Sequence, residues 1–305
     1  MSAVLIDPKM SDDERRAALY HGDLVFYSPT RGMTALCDLA WNMIVEAFHP
    51  IAPERAQFEM PVEEFVEVIS KLKPAFTHHP EAKQALLQFF EDIGADPELT
   101  YFDVPKLRIV STDGYLTAGM GYAYKAHRDI WYACPESQIN WWTPIRPITE
   151  RRGLAFYPAR FGHAVENNSH DFDAYQWNAD GRKNAGKYIN SDPRPHPRFQ
   201  GESLEDPQII IGDPASVIGF SAQHLHATVP NDSGETRFSI DFRTVHRQDI
   251  IDHKGAALSD NKSTGTTLRD FMRATDHVRF DDDIVATYDD GKDTNGVLVF
   301  QPEDA

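Results

Sequence analysis

The stretch "RFSIDFR", residues 237–243, decides the fold class because its side chains alternate between polar and apolar. A two-residue period is typical of a β-strand with one face against a core and the other against a polar space. The apolar face carries Phe238, Ile240 and Phe242, and the polar face carries Arg237, Ser239, Asp241 and Arg243. We expect helices to cover the apolar face and the polar face to line a cavity.

Other short runs after residue 105 also indicate strands, because they are rich in β-branched and aromatic residues and are bounded by Gly, Pro, Asn or Asp. They are "KLRIV" (106–110), "GMGYAYKAHRDIWY" (119–132), "SQINWWTPI" (137–145), "GLAFYP" (153–158), "PQIIIG" (207–212) and "ASVIGF" (215–220). Many short strands separated by turn residues predict a β-sandwich or a small barrel.

The first hundred residues instead predict mainly helices. Apolar residues recur at three- and four-residue steps over 34–48, and similar stripes follow Pro61 and Pro80, the second ending near Gly94. The segment 266–276, "TTLRDFMRATD", predicts one more helix. The expected fold class is therefore an all-β core with helical decoration (α+β).

We expect one domain over residues 1–305, without internal repeats or linkers. Its expected parts are a helical N-terminal part (about 1–104), a β core (about 105–245) and a C-terminal extension (about 246–305). A polar insert with interspersed aromatic residues, about 160–205, is long enough to predict a lid over a binding site. Its cations Arg182, Lys183 and Lys187 are candidates for meeting an anionic group of a substrate.

Composition excludes several classes of function. The chain has 305 residues, 41% of them hydrophobic, and a formal net charge of −17, which argues against nonspecific nucleic-acid binding and against anionic membranes. No apolar run approaches the about 18 residues of a membrane span, and the first residues lack a secretory-signal layout. Cys37 and Cys134 are expected to be reduced thiols. We expect a cytoplasmic protein with a small-molecule partner; the sequence leaves its oligomeric state open.

The tripeptide His127-Arg128-Asp129 is found in two kinds of functional site, a protein-kinase catalytic loop and a metal site. A protein-kinase catalytic loop requires Asn five residues after the Asp and a later Asp-Phe-Gly. Position 134 is Cys and no Asp-Phe-Gly follows, so the chain is not a kinase.

A metal site is the second interpretation of the tripeptide. In extended chain, side chains two residues apart share a face, so His127 and Asp129 can bind one ion. His224 or His226 can supply a third ligand, and two His with one carboxylate are typical of non-haem Fe(II) oxygenases. Arg237 follows His226 by 11 residues and can bind a carboxylate through its planar guanidinium group, together with Ser239 on the same strand face.

The order of these motifs resembles the Fe(II)/2-oxoglutarate-dependent dioxygenases, specifically the phytanoyl-CoA dioxygenase-like family. The matching motifs are His127-x-Asp129, Gly212-Asp213, His226-x₄-Asn231 and Arg237-x-Ser239. The resemblance covers about residues 105–245, whereas the N-terminal part fits the family only loosely.

The resemblance implies a double-stranded β-helix (jelly roll) with N-terminal helices packed on the barrel. It also implies an iron site of His127, Asp129 and His226, with Arg237 and Ser239 holding the distal carboxylate of 2-oxoglutarate. The cofactors would be Fe(II), 2-oxoglutarate and O₂. The reaction would be hydroxylation, or a related C–H oxidation such as desaturation or cyclisation, of a small molecule, with specialised metabolism as one setting. Related halogenases replace the carboxylate ligand with a small residue, so Asp129 disfavours halogenation.

Some alternatives stay open at the level of sequence. His224 competes with His226 as the ligand, although the spacing to Asn231 favours His226. Arg243 is the second candidate for the carboxylate anchor. A cupin-type metalloprotein would share the jelly roll, but "HLH" (224–226) lacks the Glu that cupins place a few residues later. A non-catalytic jelly-roll ligand-binding module is the remaining alternative.

Overall fold

The computed structural model describes residues 2–181, 188–257 and 259–289. The helices are α1 (Asp12–Tyr20), α2 (Arg31–Phe48), α3 (Val62–His78), α4 (Pro80–Asp92), α5 (Ala174–Gln176), α6 (Arg247–Ile251) and α7 (Asp282–Ala286). The strands are β1 (Val4–Ile6), β2 (Leu24–Tyr27), β3 (Thr100–Phe102), β4 (Lys106–Val110), β5 (Ile139–Pro144), β6 (Leu154–Phe156), β7 (Gln208–Ile210), β8 (Val217–Ser221), β9 (His226–Thr228), β10 (Arg237–His246) and β11 (Met272–Arg273).

The strands form two sheets. The larger has eight strands in the order β1-β2-β8-β5-β10-β3-β11, with β4 also paired to β10. The smaller has three strands in the order β7-β6-β9. Among the described strands, β1 and β2 run parallel and the other pairs are antiparallel. Within the described residues the ladders do not join the two sheets into a closed barrel.

Strand β10 pairs with β3, β4 and β5 in the larger sheet, and its two faces differ as predicted. Phe238, Ile240 and Phe242 are buried in the main core together with residues of α2, α3 and α4. The ring of Phe242 lies 5.7 Å from that of Phe89 on α4, and the two rings meet edge to face. The prediction that helices cover the apolar face is confirmed.

The three long helices begin and end close to the predicted positions. Thr30 caps α2 through its side chain, Pro61 directly precedes α3, and Pro80 opens α4. Gly94 follows α4 with a φ of 72°, a conformation that glycine adopts without steric penalty. In the described part of the chain, no helix is both long and apolar enough to span a membrane.

The first hundred residues are mainly helical, as predicted, although β1, β2 and β3 join the larger sheet, which therefore extends beyond 105–245. Two predictions about secondary structure are wrong. The stretch 119–132 is mostly irregular, with one isolated bridge at His127 and a 3₁₀ turn at Asp129–Tyr132. The segment 266–276 is a 3₁₀ turn followed by β11 rather than a helix.

Helices α2 and α4 pack so closely that Gly32 has no room for a side chain. A Cβ atom at this position would lie 2.3 Å from the Phe89 nitrogen and 2.6 Å from the Ala85 oxygen, both backbone atoms. Gly32→Ala normally favours a helix, but here we expect a loss of about 1–3 kcal/mol in the free energy of unfolding, because the helices must separate. Urea titration measures this change. The exposed Thr34→Ala in the same helix is the control, and equal stability of the two variants would contradict the close packing.

Candidate metal centre

Two histidines far apart in sequence are joined by backbone hydrogen bonds. The His127 nitrogen donates to the His226 oxygen at 2.9 Å, and the His226 nitrogen donates to the His127 oxygen at 3.0 Å. This bridge adds the backbone of His127 to the edge of β9 and brings the two imidazole rings to a centroid distance of 4.4 Å.

Asp129 reaches the same place although its segment is not a strand. Arg128 is extended, with φ −111° and ψ 140°, so the side chains on either side of it emerge in the same direction. Asp129 then begins a 3₁₀ turn, which is held by a hydrogen bond from the Ile130 nitrogen to the Ala222 oxygen at 3.2 Å. One extended residue between His127 and Asp129 is enough to satisfy the predicted spacing.

The donor atoms of the three side chains converge. One ligand atom each from His127, Asp129 and His226 lie within 4.8 Å of one another. Asp129 Oδ1 is 3.3 Å from His127 Nε2 and 4.0 Å from His226 Nε2. All three residues are buried.

Hydrogen bonds at the far side of both rings set the tautomer that a metal needs. His127 Nδ1 lies 2.7 Å from the Lys125 oxygen, and His226 Nδ1 lies 3.0 Å from the His224 oxygen. Because a carbonyl oxygen can only accept, each Nδ1 carries the proton in this arrangement, and Nε2 is the ring nitrogen left to bind a metal. Such carbonyl partners are typical of metal-binding histidines.

The charges of the site also suit a cation. Burial, and next the neighbouring His127, lower the pKa of His226 to about 4, so this imidazole is neutral at neutral pH. Burial alone would raise the pKa of Asp129, but Arg243, then His127 and His226, outweigh it and hold that pKa well below its usual range. The Arg243 Nε lies 3.4 Å from Asp129 Oδ2, so Asp129 stays ionised.

His224, the alternative ligand, points elsewhere. Its Nε2 lies 3.0 Å from the Gly22 oxygen and its Nδ1 lies 3.2 Å from the Ser221 oxygen. Its ring packs against Phe161 at a centroid distance of 4.6 Å. The structure therefore brings His226, and not His224, to His127 and Asp129.

A cavity of about 380 Å³ opens beside the three side chains, and Arg237 is also part of its wall. Arg237 Nη1 donates to the Arg152 and Gly153 oxygens at 3.2 and 3.3 Å, whereas its Nε has no hydrogen-bond partner among the described residues. Burial, and next the charge of Arg108, lower the pKa of Arg237 to about 9, which leaves it a cation at neutral pH.

Ser239 lies on the same face of β10 as Arg237. It is fully buried, and its Oγ lacks a hydrogen-bond partner in the part of the chain that the structure describes. The cavity wall does not include Ser239. Because buried polar atoms are normally paired, the unsatisfied Nε of Arg237 in the cavity wall indicates a place for a polar ligand group.

The other arginines in the wall already have carboxylate partners. Arg108 Nη2 donates to Asp241 Oδ2 at 3.0 Å. Arg243 Nη1 lies 3.2 Å from Asp103 Oδ2, and its Nη2 lies 3.2 Å from Asp241 Oδ2, in addition to the contact with Asp129. Arg243, the second candidate for a carboxylate anchor, is thus occupied within the protein.

A buried ion pair that no sequence pattern indicated lies next to the triad of His127, Asp129 and His226. Arg128 Nη1 lies 3.1 Å from Asp260 Oδ2, and both side chains are almost fully buried. Asp260 also accepts hydrogen bonds from Trp131 Nε1 at 2.6 Å and from the Val165 nitrogen at 3.0 Å. Asp260 therefore links its own C-terminal segment and Val165 of the insert to Arg128, the residue between His127 and Asp129.

Asp260→Ala should leave the buried Arg128 charge uncompensated. We expect the free energy of unfolding to fall by about 3–5 kcal/mol, the usual effect of breaking a buried pair from one side. Urea titration measures it. Asp232→Ala is the control because it removes the exposed pair with Arg151, where solvent screens the interaction and little change is expected. Similar urea midpoints of unfolding for both variants would contradict the role of Asp260 as the stabilising partner of Arg128.

The predicted lid is described only in part. Arg182, Lys183 and Lys187 lie outside the described residues. Phe172, Trp177 and other residues of the insert belong to the cavity wall. Closure of this segment over a substrate stays a prediction.

Comparisons with known proteins give structural similarity only. No protein-family model matches the chain, and no curated protein sequence matches it. The chain is similar to EvdO2 from Micromonospora carbonacea var. aurantiaca complexed with 2-oxoglutarate (13% identity, TM-score 0.43, covering 78% of this chain and 92% of that one).

Two further similar structures are proteins of nogalamycin biosynthesis. One is described as the non-haem alpha-ketoglutarate-dependent epimerase SnoN (12% identity, TM-score 0.38, 76% and 80% coverage). The other is described as the non-haem alpha-ketoglutarate-dependent carbocyclase SnoK (11% identity, TM-score 0.39, 78% and 85% coverage). At 11–13% identity, these structures are similar to the chain in fold alone.

Proposed function

We propose that this protein is an Fe(II)- and 2-oxoglutarate-dependent oxygenase, similar to the phytanoyl-CoA dioxygenase-like family, that oxidises a small molecule. One observation carries the proposal. Two imidazole Nε2 atoms and one carboxylate converge in a cavity whose wall also holds a buried arginine with an unsatisfied N–H. This donor set suits Fe(II), and it leaves coordination positions open for a cosubstrate and O₂.

Each side chain then has a defined task. His127, Asp129 and His226 would bind the iron, and Arg237 with Ser239 would bind the distal carboxylate of 2-oxoglutarate. Fe(II) held there would supply the chemistry that couples decarboxylation of 2-oxoglutarate, to succinate and CO₂, to O₂-dependent hydroxylation of a substrate C–H bond. The carbonyl partners of the two Nδ1 atoms keep the rings oriented.

The two sheets support a matching proposal about the fold. We place the larger sheet and the smaller sheet, extended by His127, as the two layers of a double-stranded β-helix within a single domain of residues 1–305. The triad would then lie at the open end between the layers. The same ligand set also serves desaturation, cyclisation and demethylation, and hydroxylation is the reaction to test first.

The alternatives make different predictions about 2-oxoglutarate. A cupin-type metalloprotein would bind metal without consuming 2-oxoglutarate, and a non-catalytic jelly-roll module would need neither. The absence of a Glu shortly after His226 and the unsatisfied Arg237 both favour the oxygenase.

Formation of succinate from 2-oxoglutarate tests the proposal directly. We expect turnover that requires Fe(II) and O₂ and stops with a chelator. Asp129→Ala is the matched inactive variant, because it removes a ligand and leaves Arg243 paired with Asp103 and Asp241. Succinate formation that continues in Asp129→Ala, or that needs no iron, would refute the assignment.

A further inference from the structure

The cavity wall beside His127 is built from aromatic rings. The rings of Tyr124 and Tyr132 lie 6.0 and 5.8 Å from the His127 ring. Tyr122 stacks on Tyr124 at a centroid distance of 4.7 Å with an interplanar angle of 30°. All four side chains line the cavity. A molecule that contacts these rings is therefore also beside the metal centre.

Rings of the insert continue this wall, so that the series of neighbouring rings returns to Tyr122. Phe172 lies 5.1 Å from Tyr132 and 5.6 Å from Trp177. The His196 ring lies 5.0 Å from Trp177 and 6.2 Å from Tyr122. Phe172, Trp177 and His196 also line the cavity. We call this closed series of rings, from Tyr122 through His127 and Trp177 back to Tyr122, the aromatic circle.

The charged groups next to the aromatic circle are already compensated. Arg194 stacks over Trp177 at 4.9 Å and forms an ion pair with Asp192. His196 Nε2 lies 3.0 Å from the same carboxylate. An anionic ligand in this part of the cavity would have to compete with Asp192 for both groups.

A polar atom in the cavity wall, on the residue after Trp177, lacks a hydrogen-bond partner among the described residues. Asn178 is 8% exposed and lines the cavity, and its Oδ1 has no hydrogen-bond partner within the described ranges. An amide oxygen can only accept a hydrogen bond, and leaving it buried and unpaired is unfavourable. A ligand hydroxyl would supply the missing donor.

We propose that the prime substrate is a neutral molecule with a flat ring system and a hydroxyl group. Its ring faces would contact the aromatic circle, and its hydroxyl would donate to Asn178 Oδ1. Aromatic walls favour flat apolar rings, and the cavity of about 380 Å³ is within the range of small-molecule sites. This inference rests on the proposed function, since it assigns the substrate class of the same site.

Binding of simple probes tests the inference without turnover. The full-length protein, with Fe(II) and 2-oxoglutarate under anaerobic conditions, would be titrated calorimetrically with 1-naphthol. Two comparison probes are 1-naphthyl phosphate, which is anionic, and decahydro-1-naphthol, which is not flat. We expect 1-naphthol to bind at least about tenfold more tightly than either. Tighter binding of the phosphate, or no binding of 1-naphthol, would overturn the inference.

Substitutions in the aromatic circle test whether 1-naphthol binds there. Trp177→Leu should weaken 1-naphthol binding at least about fivefold, and Phe172→Leu should act in the same direction. Trp41→Leu is the matched control, because Trp41 is also half-buried but is not part of the cavity wall. Equal binding by wild type and both wall variants, with folding verified by circular dichroism, would overturn the assignment.

Asn178→Leu tests the hydrogen bond separately. Wild type should prefer 1-naphthol over 1-methoxynaphthalene, which cannot donate, and this preference should disappear in the variant. A preference that persists would remove Asn178 from the proposal.

Iron retention, measured in the same samples, separates the two proposals. Binding of 1-naphthol by a protein that retains no iron would refute the oxygenase and leave the ring-binding site standing. Iron and 2-oxoglutarate binding without 1-naphthol binding would refute the substrate class alone.

Discussion

Replacing His127, Asp129 or His226 by Ala is expected to abolish iron binding and 2-oxoglutarate turnover. Removing a residue that only orients a metal ligand typically lowers affinity or activity about 10–100-fold, so losing a ligand should lower affinity by more than about 100-fold. The effect should be similar for all three, because their donor atoms converge on one point. Equilibrium dialysis with Fe(II) under anaerobic conditions measures the affinity, and succinate formation measures turnover.

His224→Ala is the matched control for the His226 variant. It removes a buried imidazole two residues away whose ring nitrogens face the Gly22 and Ser221 oxygens rather than the triad. We expect stability to fall by about 1–3 kcal/mol, since a buried carbonyl loses its donor, while iron affinity changes less than about threefold. Retained iron binding in His226→Ala, with loss in His224→Ala, would contradict the ligand assignment.

Arg237→Ala is expected to weaken 2-oxoglutarate binding by about 2–5 kcal/mol, or roughly 30-fold to several thousand-fold, because a desolvated carboxylate would lose its charged partner. Iron binding should remain, since Arg237 makes no contact with the three converging residues. Anaerobic titration of the iron-loaded protein with 2-oxoglutarate, followed by the charge-transfer absorbance of the complex, measures the affinity.

Two other arginines serve as comparisons for Arg237→Ala. Arg152 is adjacent to Arg237 but is paired with Glu235 at 2.7 Å and does not line the cavity, so Arg152→Ala should change the affinity less than about threefold. Arg243→Ala should also affect 2-oxoglutarate less, because Arg243 is paired with carboxylates of the protein. A larger loss in Arg243→Ala than in Arg237→Ala would move the anchor to Arg243.

The parts of the site that follow a local period were predictable from sequence. The two-residue alternation of β10 placed Phe238 on the core side and Arg237 on the cavity side, and it needed no knowledge of the partner strands. The same period brought His127 and Asp129 together, even though only the residue between them had to be extended.

Contacts between distant segments were not predictable in this way. The hydrogen bonds between His127 and His226, and the pairing of Asp260 with Arg128, join segments about a hundred residues apart or more. Nothing in the sequence around Asp260 marks it as the partner of a buried arginine. Such pairs depend on the whole fold, and a single sequence contains no local pattern for them.

Tertiary contacts also overrode local preference at the C-terminal side. Leu268, Phe271 and Met272 have helical spacing, which is why the segment 266–276 predicted a helix. Met272 instead pairs with Phe102 as an edge strand of the larger sheet, and Leu268 and Phe271 pack in a core with Tyr101. Apolar residues at such spacing fit either structure, and the free sheet edge at β3 decided between them.

A crystal structure grown anaerobically with Fe(II) and 2-oxoglutarate tests the central claim most directly. We predict one iron bound by His127 Nε2, His226 Nε2 and the carboxylate of Asp129, with 2-oxoglutarate chelating the metal and its distal carboxylate on Arg237. An iron bound elsewhere, His224 in place of His226, or 2-oxoglutarate lying away from Arg237 would contradict the proposed function.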